Sequence, residues 1–160
     1  MIMDFEASSL SDESYPIEIG WCDGDGKIHS FLINPDYGDN WIDWDPKSES
    51  IHNISRELLK EKGVESRLIC EKLEHEFNGQ TFYFDAPVWD LKWLQKLYSS
   101  YKSPSIRIQD FKRLNCIALM DSKKLKKIRA KIRHKMPQRH RAELDVRYLL
   151  EVYKECWSKI

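Results

Sequence analysis

The sequence predicts an α/β domain with a mixed sheet, in which three antiparallel strands precede parallel strands and helices cover both faces. Apolar or alternating segments at 1–6, 14–22 and 27–34 are typical of strands, and Asp-Gly-Asp-Gly between the last two is a hairpin turn signal. Segments with helical spacing then alternate with short strands, which favours parallel pairing with helices on both sides of the sheet.

The later elements follow from local signals. Ser55 predicts the N-cap of a helix that runs to Lys62 and ends at Gly63. Residues 35–49, rich in Asp, Trp, Gly and Pro, are predicted to be a loop. The remaining expected elements are helices at 65–77, 88–101, 114–134 and 141–157 and strands at 81–84 and 105–111.

Length and composition narrow the class of protein. The 160 residues suit one domain, 1–160, with a buried core. No apolar run approaches the ~20 residues of a membrane span, and the first residues lack signal-peptide character, so a cytoplasmic protein is expected. The cysteines are too far apart for a zinc ligand pair and are predicted to be reduced; they are Cys22, Cys70, Cys116 and Cys156.

The net charge of zero hides an uneven distribution of charge along the chain. Residues 1–50 contain twelve acids and two lysines, whereas residues 122–142 contain ten Lys or Arg and no acid. An acidic pole and a basic pole suit a protein that holds cations and binds a polyanion.

Asp4 and Glu6 lie two residues apart in the first predicted strand, so both side chains point to the same face. Paired carboxylates in an apolar strand repel each other and are costly to desolvate, and a divalent cation between them removes that cost. The alternative is an edge strand whose two acids are solvated.

Two more acids lie on apolar stripes of predicted helices. Asp90 and Asp145 are each followed at helical spacing by large apolar residues, and His140 precedes Asp145 by five residues. The alternatives are a helix N-terminal charge for Asp90 and a surface or core histidine for His140. Oxygen ligands without cysteine favour Mg²⁺ or Mn²⁺, and carboxylates that converge on two such ions suit phosphodiester hydrolysis.

These residues belong to three segments in one order: Asp4-Phe5-Glu6, the stretch from Phe84 to Leu94 that contains Asp90, and the stretch from His140 to Asp145. They resemble motifs I, II and III of the DEDD 3′–5′ exonucleases, His subtype, which have a ribonuclease-H-like fold. The Tyr subtype would have Tyr at position 141, where this chain has Arg. Asp85 and Ser9 depart from the motifs, which leaves the substrate preference open.

The resemblance implies that Asp4, Glu6, Asp90 and Asp145 bind two divalent cations and that His140 is the general base. It implies release of nucleoside 5′-monophosphates from the 3′ end of single-stranded RNA or DNA. The alternative is a catalytically silent, nucleic-acid-binding regulator on the same fold. A purely structural or interaction protein would leave the buried acids unexplained.

Candidate substrate contacts flank the motifs. Apolar and aromatic side chains near motifs I and II are candidates to contact the terminal nucleotide, and the basic segment is a candidate to contact phosphates; a solvated helix face is the alternative for the latter. The predicted contacts are Ala7, Leu10, Trp89, Lys123, Lys124 and Lys127.

Overall fold

A five-stranded mixed sheet crosses the middle of the protein, whose computed structural model describes residues 1–137 and 140–159. In the order β3-β2-β1-β4-β5, the first three strands pair antiparallel, and β4 and β5 pair parallel to β1. This arrangement confirms the predicted sheet. The strands are β1 Ile2–Ala7, β2 Pro16–Cys22, β3 Ile28–Leu32, β4 Thr81–Phe84 and β5 Arg107–Asp110.

Helices cover both faces of this sheet. One apolar core includes buried residues of α3 and α4, and the other includes buried residues of α5, α6 and α7. The helices are α1 Pro46–His52, α2 Arg56–Lys62, α3 Ser66–Phe77, α4 Pro87–Leu97, α5 Asn115–Ala118, α6 Ser122–Lys135 and α7 Ala142–Trp157.

The first strand is central, because β1 has β2 on one side and β4 on the other. Met3 and Phe5 point into the core that includes α3 and α4, so Asp4 and Glu6 point to the opposite face, where α7 packs. The edge-strand alternative for the two acids is therefore excluded.

The helix boundaries differ from the predicted ones in three places. The predicted loop at 35–49 contains the start of α1, because the Asp45 side chain accepts the Lys47 N–H and Pro46 suits the first helical position. The predicted helix 114–134 is split into α5 and α6, since the Asp121 carboxylate caps a new helix start. The predicted helix 88–101 ends at Leu97. The N-cap at Ser55, whose hydroxyl accepts the Leu58 N–H, is confirmed.

The composition led to predictions about the cysteines and about membrane-spanning segments. All four cysteines are buried and unpaired, as predicted. Along the described residues, no helix is both long enough and apolar enough to cross a bilayer.

Candidate metal centre

Three of the four predicted metal ligands meet at one point above the central strand. Asp4, Glu6 and Asp145 each offer a carboxylate oxygen that lies within 4.8 Å of the others. The two β1 residues project from the sheet, and Asp145 projects from the first turn of α7. They line a cavity of about 220 Å³, which we call the acidic cavity and which Asp85 and His140 also line.

The fourth acid, Asp90, lies close to Asp4 but outside this group of three. It is only 2% exposed, and its Oδ2 accepts the Ala86 N–H at 3.3 Å, at the start of α4. The Asp90 carboxylate thus also accepts a hydrogen bond at the N-terminus of α4, as the alternative role for this residue predicted. Burial raises the pKa of Asp90 to about 8, against the Ala86 hydrogen bond and with a further contribution from the charge of Asp85.

The carboxylate of Asp4 lies among the charges of four other acids. Desolvation by the surrounding protein raises its pKa well above the usual range, and the charges of Asp90, Asp145 and Glu6 raise that pKa further. A divalent cation would offset this repulsion. The donor set, carboxylate oxygens from three elements, fits the hard ions Mg²⁺ and Mn²⁺.

His140 precedes Arg141, the N-cap residue of α7, and lines the acidic cavity. Its backbone is left-handed, with φ of 63°, which is uncommon for a residue other than glycine. The His140 N–H donates to Asp145 Oδ2 at 2.8 Å, so the histidine and the carboxylate share one local structure. His140 is also exposed.

Asp85 is a fourth acid in the acidic cavity, one that the sequence did not single out as a ligand. Its carboxylate accepts two hydrogen bonds from Arg129 of α6, at 3.0 and 2.7 Å. The guanidinium also lies over the Phe111 ring, 5.5 Å from its centroid. This bidentate ion pair balances the charge of Asp85 and fixes α6 beside the cavity.

A second cavity of about 250 Å³ opens next to the first and shares Glu6 and His140 with it. We call it the apolar cavity, because Leu10 and Trp93 are among its walls. His52 is 3% exposed and also lines it. Its Nδ1 accepts the Ile54 N–H at 3.1 Å, so the neutral ring carries its proton on Nε2.

His52 is a buried polar residue in the wall of this cavity. Burial lowers the pKa of its imidazole, which keeps the ring neutral near neutral pH. Among the residues that the structure describes, its buried Nε2 has no hydrogen-bond partner.

The predicted substrate contacts are distributed unevenly. Ala7 and Leu10 line the apolar cavity, whereas Trp89 stacks on Trp93 at 5.7 Å and is outside the described lining. Sequence reasoning assigned Trp93 to core packing, and the structure shows it both in the core and at the cavity wall. The predicted basic contacts Lys123, Lys124 and Lys127 are exposed on α6, outside the described lining of both cavities.

The two flanks of α6 differ in their relation to the acidic cavity. Arg129 marks the near flank, and helical spacing places Lys126 and Arg133, three residues before and four after it, on the same side. Lys131 marks the far flank, where its ammonium pairs with Glu155 of α7 at 2.9 Å. The predicted Lys124 and Lys127 lie at helical spacing from Lys131, on the far flank.

Comparison with solved structures identifies the fold. Exonuclease I from E. coli, in a zinc-bound complex with single-stranded DNA, has a TM-score of 0.67 at 13% identity over 99% of this chain and 40% of that chain. Its complex with a dA16 oligonucleotide has a TM-score of 0.66 at 13% identity over 96% of this chain and 40% of that chain. No protein-family model and no curated protein sequence matches the chain.

At this level of identity the similarity shows the fold, and the expected ribonuclease-H-like α/β architecture is confirmed. The chain spans 40% of the length of the exonuclease I that it matches.

Proposed function

We propose that residues 1–160 form a single domain of the DEDD class, His subtype, that removes nucleotides from the 3′ end of single-stranded nucleic acid. The observation that carries the proposal is the convergence of Asp4, Glu6 and Asp145 on one cavity, with buried Asp90 close to Asp4. Asp90 and Asp145 are buried and Asp4 and Glu6 are half-buried. Like charges held this close are costly, so their grouping in a small domain supports a role in binding cations.

The four carboxylates would hold two divalent cations, Mg²⁺ or Mn²⁺. Such cations supply Lewis acidity and charge neutralisation for phosphodiester hydrolysis when they are bound. The chain itself supplies the proton acceptor: the exposed imidazole of His140 takes the proton of the attacking water. Its place at the boundary of the two cavities puts that base beside both the acids and the ligand.

The terminal nucleoside would occupy the apolar cavity. Leu10 and Trp93 provide apolar surface for a base or sugar. Because the two cavities share Glu6 and His140, a nucleoside in the apolar cavity would have its next phosphodiester beside the acids. Exonuclease I was solved with single-stranded DNA oligonucleotides, which supports single-stranded DNA as the first substrate to test.

The second candidate is a catalytically silent regulator that binds single strands through the same surface. Three carboxylates and a histidine around one cavity argue against it, because binding alone gains nothing from acids that repel phosphate. A nuclease assay separates the two candidates.

The assay uses DNA and RNA single strands labelled at either end, with Mn²⁺ or with EDTA. We expect a 5′-labelled strand to shorten stepwise with Mn²⁺ and a 3′-labelled strand to release labelled mononucleotide at once. EDTA and the Asp145→Asn variant should abolish both signals. Binding without shortening would support the regulator, and internal cuts would contradict the exonuclease.

The near flank of α6 should set the affinity for the substrate. Replacing Lys126 and Arg133 with alanine should weaken binding and reduce the slope of log K against log salt by about 1.4, as expected for two lost phosphate contacts on a single strand. The control replaces Lys124 and Lys127 with alanine, which removes the same charge from the far flank. Equal slopes for the two double variants would show that α6 attracts the strand only through its net charge.

A further inference from the structure

Glu18 of β2 is a buried carboxylate outside both cavities, yet it contacts the segment that carries His140. It is 1% exposed and pairs across the strands with Glu6. Arg141 donates to it twice, from Nε at 3.0 Å and from Nη2 at 2.8 Å. The Ala142 N–H donates to Oε2 at 2.9 Å, and the Ser30 hydroxyl donates to Oε1 at 3.2 Å.

These contacts make Glu18 the cap of α7. Arg141 is the N-cap residue of that helix, and within the described residues its own side chain makes no capping hydrogen bond. Glu18 supplies the missing acceptor from the sheet, at the positive end of the helix dipole. Gly20 permits the approach, because a Cβ at that position would lie 2.7 Å from the Ala142 carbonyl carbon.

The cap acts on the residue next to it. His140 has a left-handed backbone, with φ of 63°, that non-glycine residues adopt only when their surroundings impose it. Two carboxylates impose it here: Asp145 accepts the N–H of His140, and Glu18 accepts the N–H of Ala142. The backbone on either side of Arg141 is thus fixed to α7 and to β2.

We propose that Glu18 is a positioning residue for the reaction, which holds the His140 backbone in its strained conformation and so aims the imidazole into the acidic cavity. The inference rests on the proposed function. Glu18 is not among the three grouped carboxylates or the lining residues of either cavity, and its side chain reaches the His140 segment through Arg141 and Ala142.

The test is Glu18→Gln, which keeps the shape of the side chain and one acceptor but removes the charge that holds Arg141. We expect kcat to fall roughly ten- to a hundredfold, the scale of a small misplacement of a reacting group, while KM stays within about twofold. Glu143→Gln is the matched control, because Glu143 is also in the first turn of α7 but pairs outward with Arg147 at 2.9 Å. It should leave both constants unchanged.

A double variant shows whether the effect passes through His140. In a His140→Ala background, Glu18→Gln should change kcat by less than about twofold, because no imidazole remains to be aimed. An equal loss in both backgrounds would overturn the proposal and make Glu18 a structural residue. If Glu18→Gln does not fold, Arg141→Lys gives the same comparison, since it keeps the charge but not the two-point contact.

Amide hydrogen exchange gives a readout that does not depend on activity. Glu18→Gln should speed exchange at His140 and Ala142 and leave the β1 amides unchanged. Unchanged exchange at both amides would also overturn the proposal. A further outcome is that the wild-type protein shows no hydrolysis of nucleic acid while its variant shows the expected exchange. That result would refute the proposed function but would leave intact the inference that Glu18 holds the His140 backbone.

Discussion

Replacing His140 with alanine is expected to lower kcat about 10²–10⁴-fold, the usual contribution of a positioned general base. The fold and the binding of cations should persist, because the grouped ligand atoms are the carboxylate oxygens of Asp4, Glu6 and Asp145. The His140 imidazole is not part of that group. Single-turnover rates on a labelled single strand, together with the Mn²⁺-induced change in melting temperature, measure the two effects separately.

The control for this variant is His134→Ala, which removes an exposed histidine of α6 outside the described lining of both cavities. It should hydrolyse at the wild-type rate. Full turnover in His140→Ala would mean that another group accepts the proton and would remove the basis for the His subtype. A loss of the Mn²⁺ effect in that variant would make His140 a ligand.

The second large effect concerns the stability of the metal-free protein. Asp4 and Asp90 have raised pKa values in the folded state, that of Asp90 being about 8, so the folded protein holds protons that the unfolded chain releases near pH 4. Raising the pH across this window therefore favours unfolding. These two carboxyls are expected to lower the free energy of unfolding by several kcal/mol between about pH 4 and pH 8, against the opposite contribution of carboxyls with lowered pKa such as Glu74.

Urea unfolding in EDTA across that range measures the slope, and Asp90→Asn is the informative variant. It keeps an acceptor for the Ala86 N–H but cannot ionise, so it should be more stable than wild type at pH 8 and nearly equal at pH 4. Mn²⁺ at about 100 times its Kd should raise the wild-type melting temperature by roughly 5–10 °C. An Asp90→Asn protein no more stable than wild type at pH 8 in EDTA, or a wild-type melting temperature that Mn²⁺ does not change, would contradict a cation site here.

Most of the fold could be predicted from local signals, and the failures have physical causes. The alternation of Asp4 and Glu6 with Met3 and Phe5 indicated a strand with one acidic face, and the structure adds that this strand is central. The α1 helix was missed because a composition typical of loops outweighed a sound start signal, an Asp N-cap followed by Pro46.

The candidate site was less predictable wherever it depends on tertiary contacts. Two acids two residues apart in a strand, or an acid on an apolar helix stripe, leave a local pattern, so Asp4, Glu6, Asp90 and Asp145 could be named. His52, by contrast, becomes notable only because burial leaves its Nε2 without a partner beside the apolar cavity. Nor does periodicity alone say which flank of α6 faces the acids; Arg129 and Asp85 decide that.

The acidic cavity joins the first strand of the described chain to its last helix. A nascent or locally unfolded chain without a docked α7 keeps Asp4 and Glu6 in place but lacks Asp145, so it has no complete set of carboxylates. The fraction of molecules with a complete set of carboxylates thus depends on how firmly α7 docks on β1 and β2. The free energy of undocking one helix can be smaller than the free energy of global unfolding. Cation binding at this cavity would tie the two distant segments together, so depletion of cations would weaken the docking of α7 on β1 and β2.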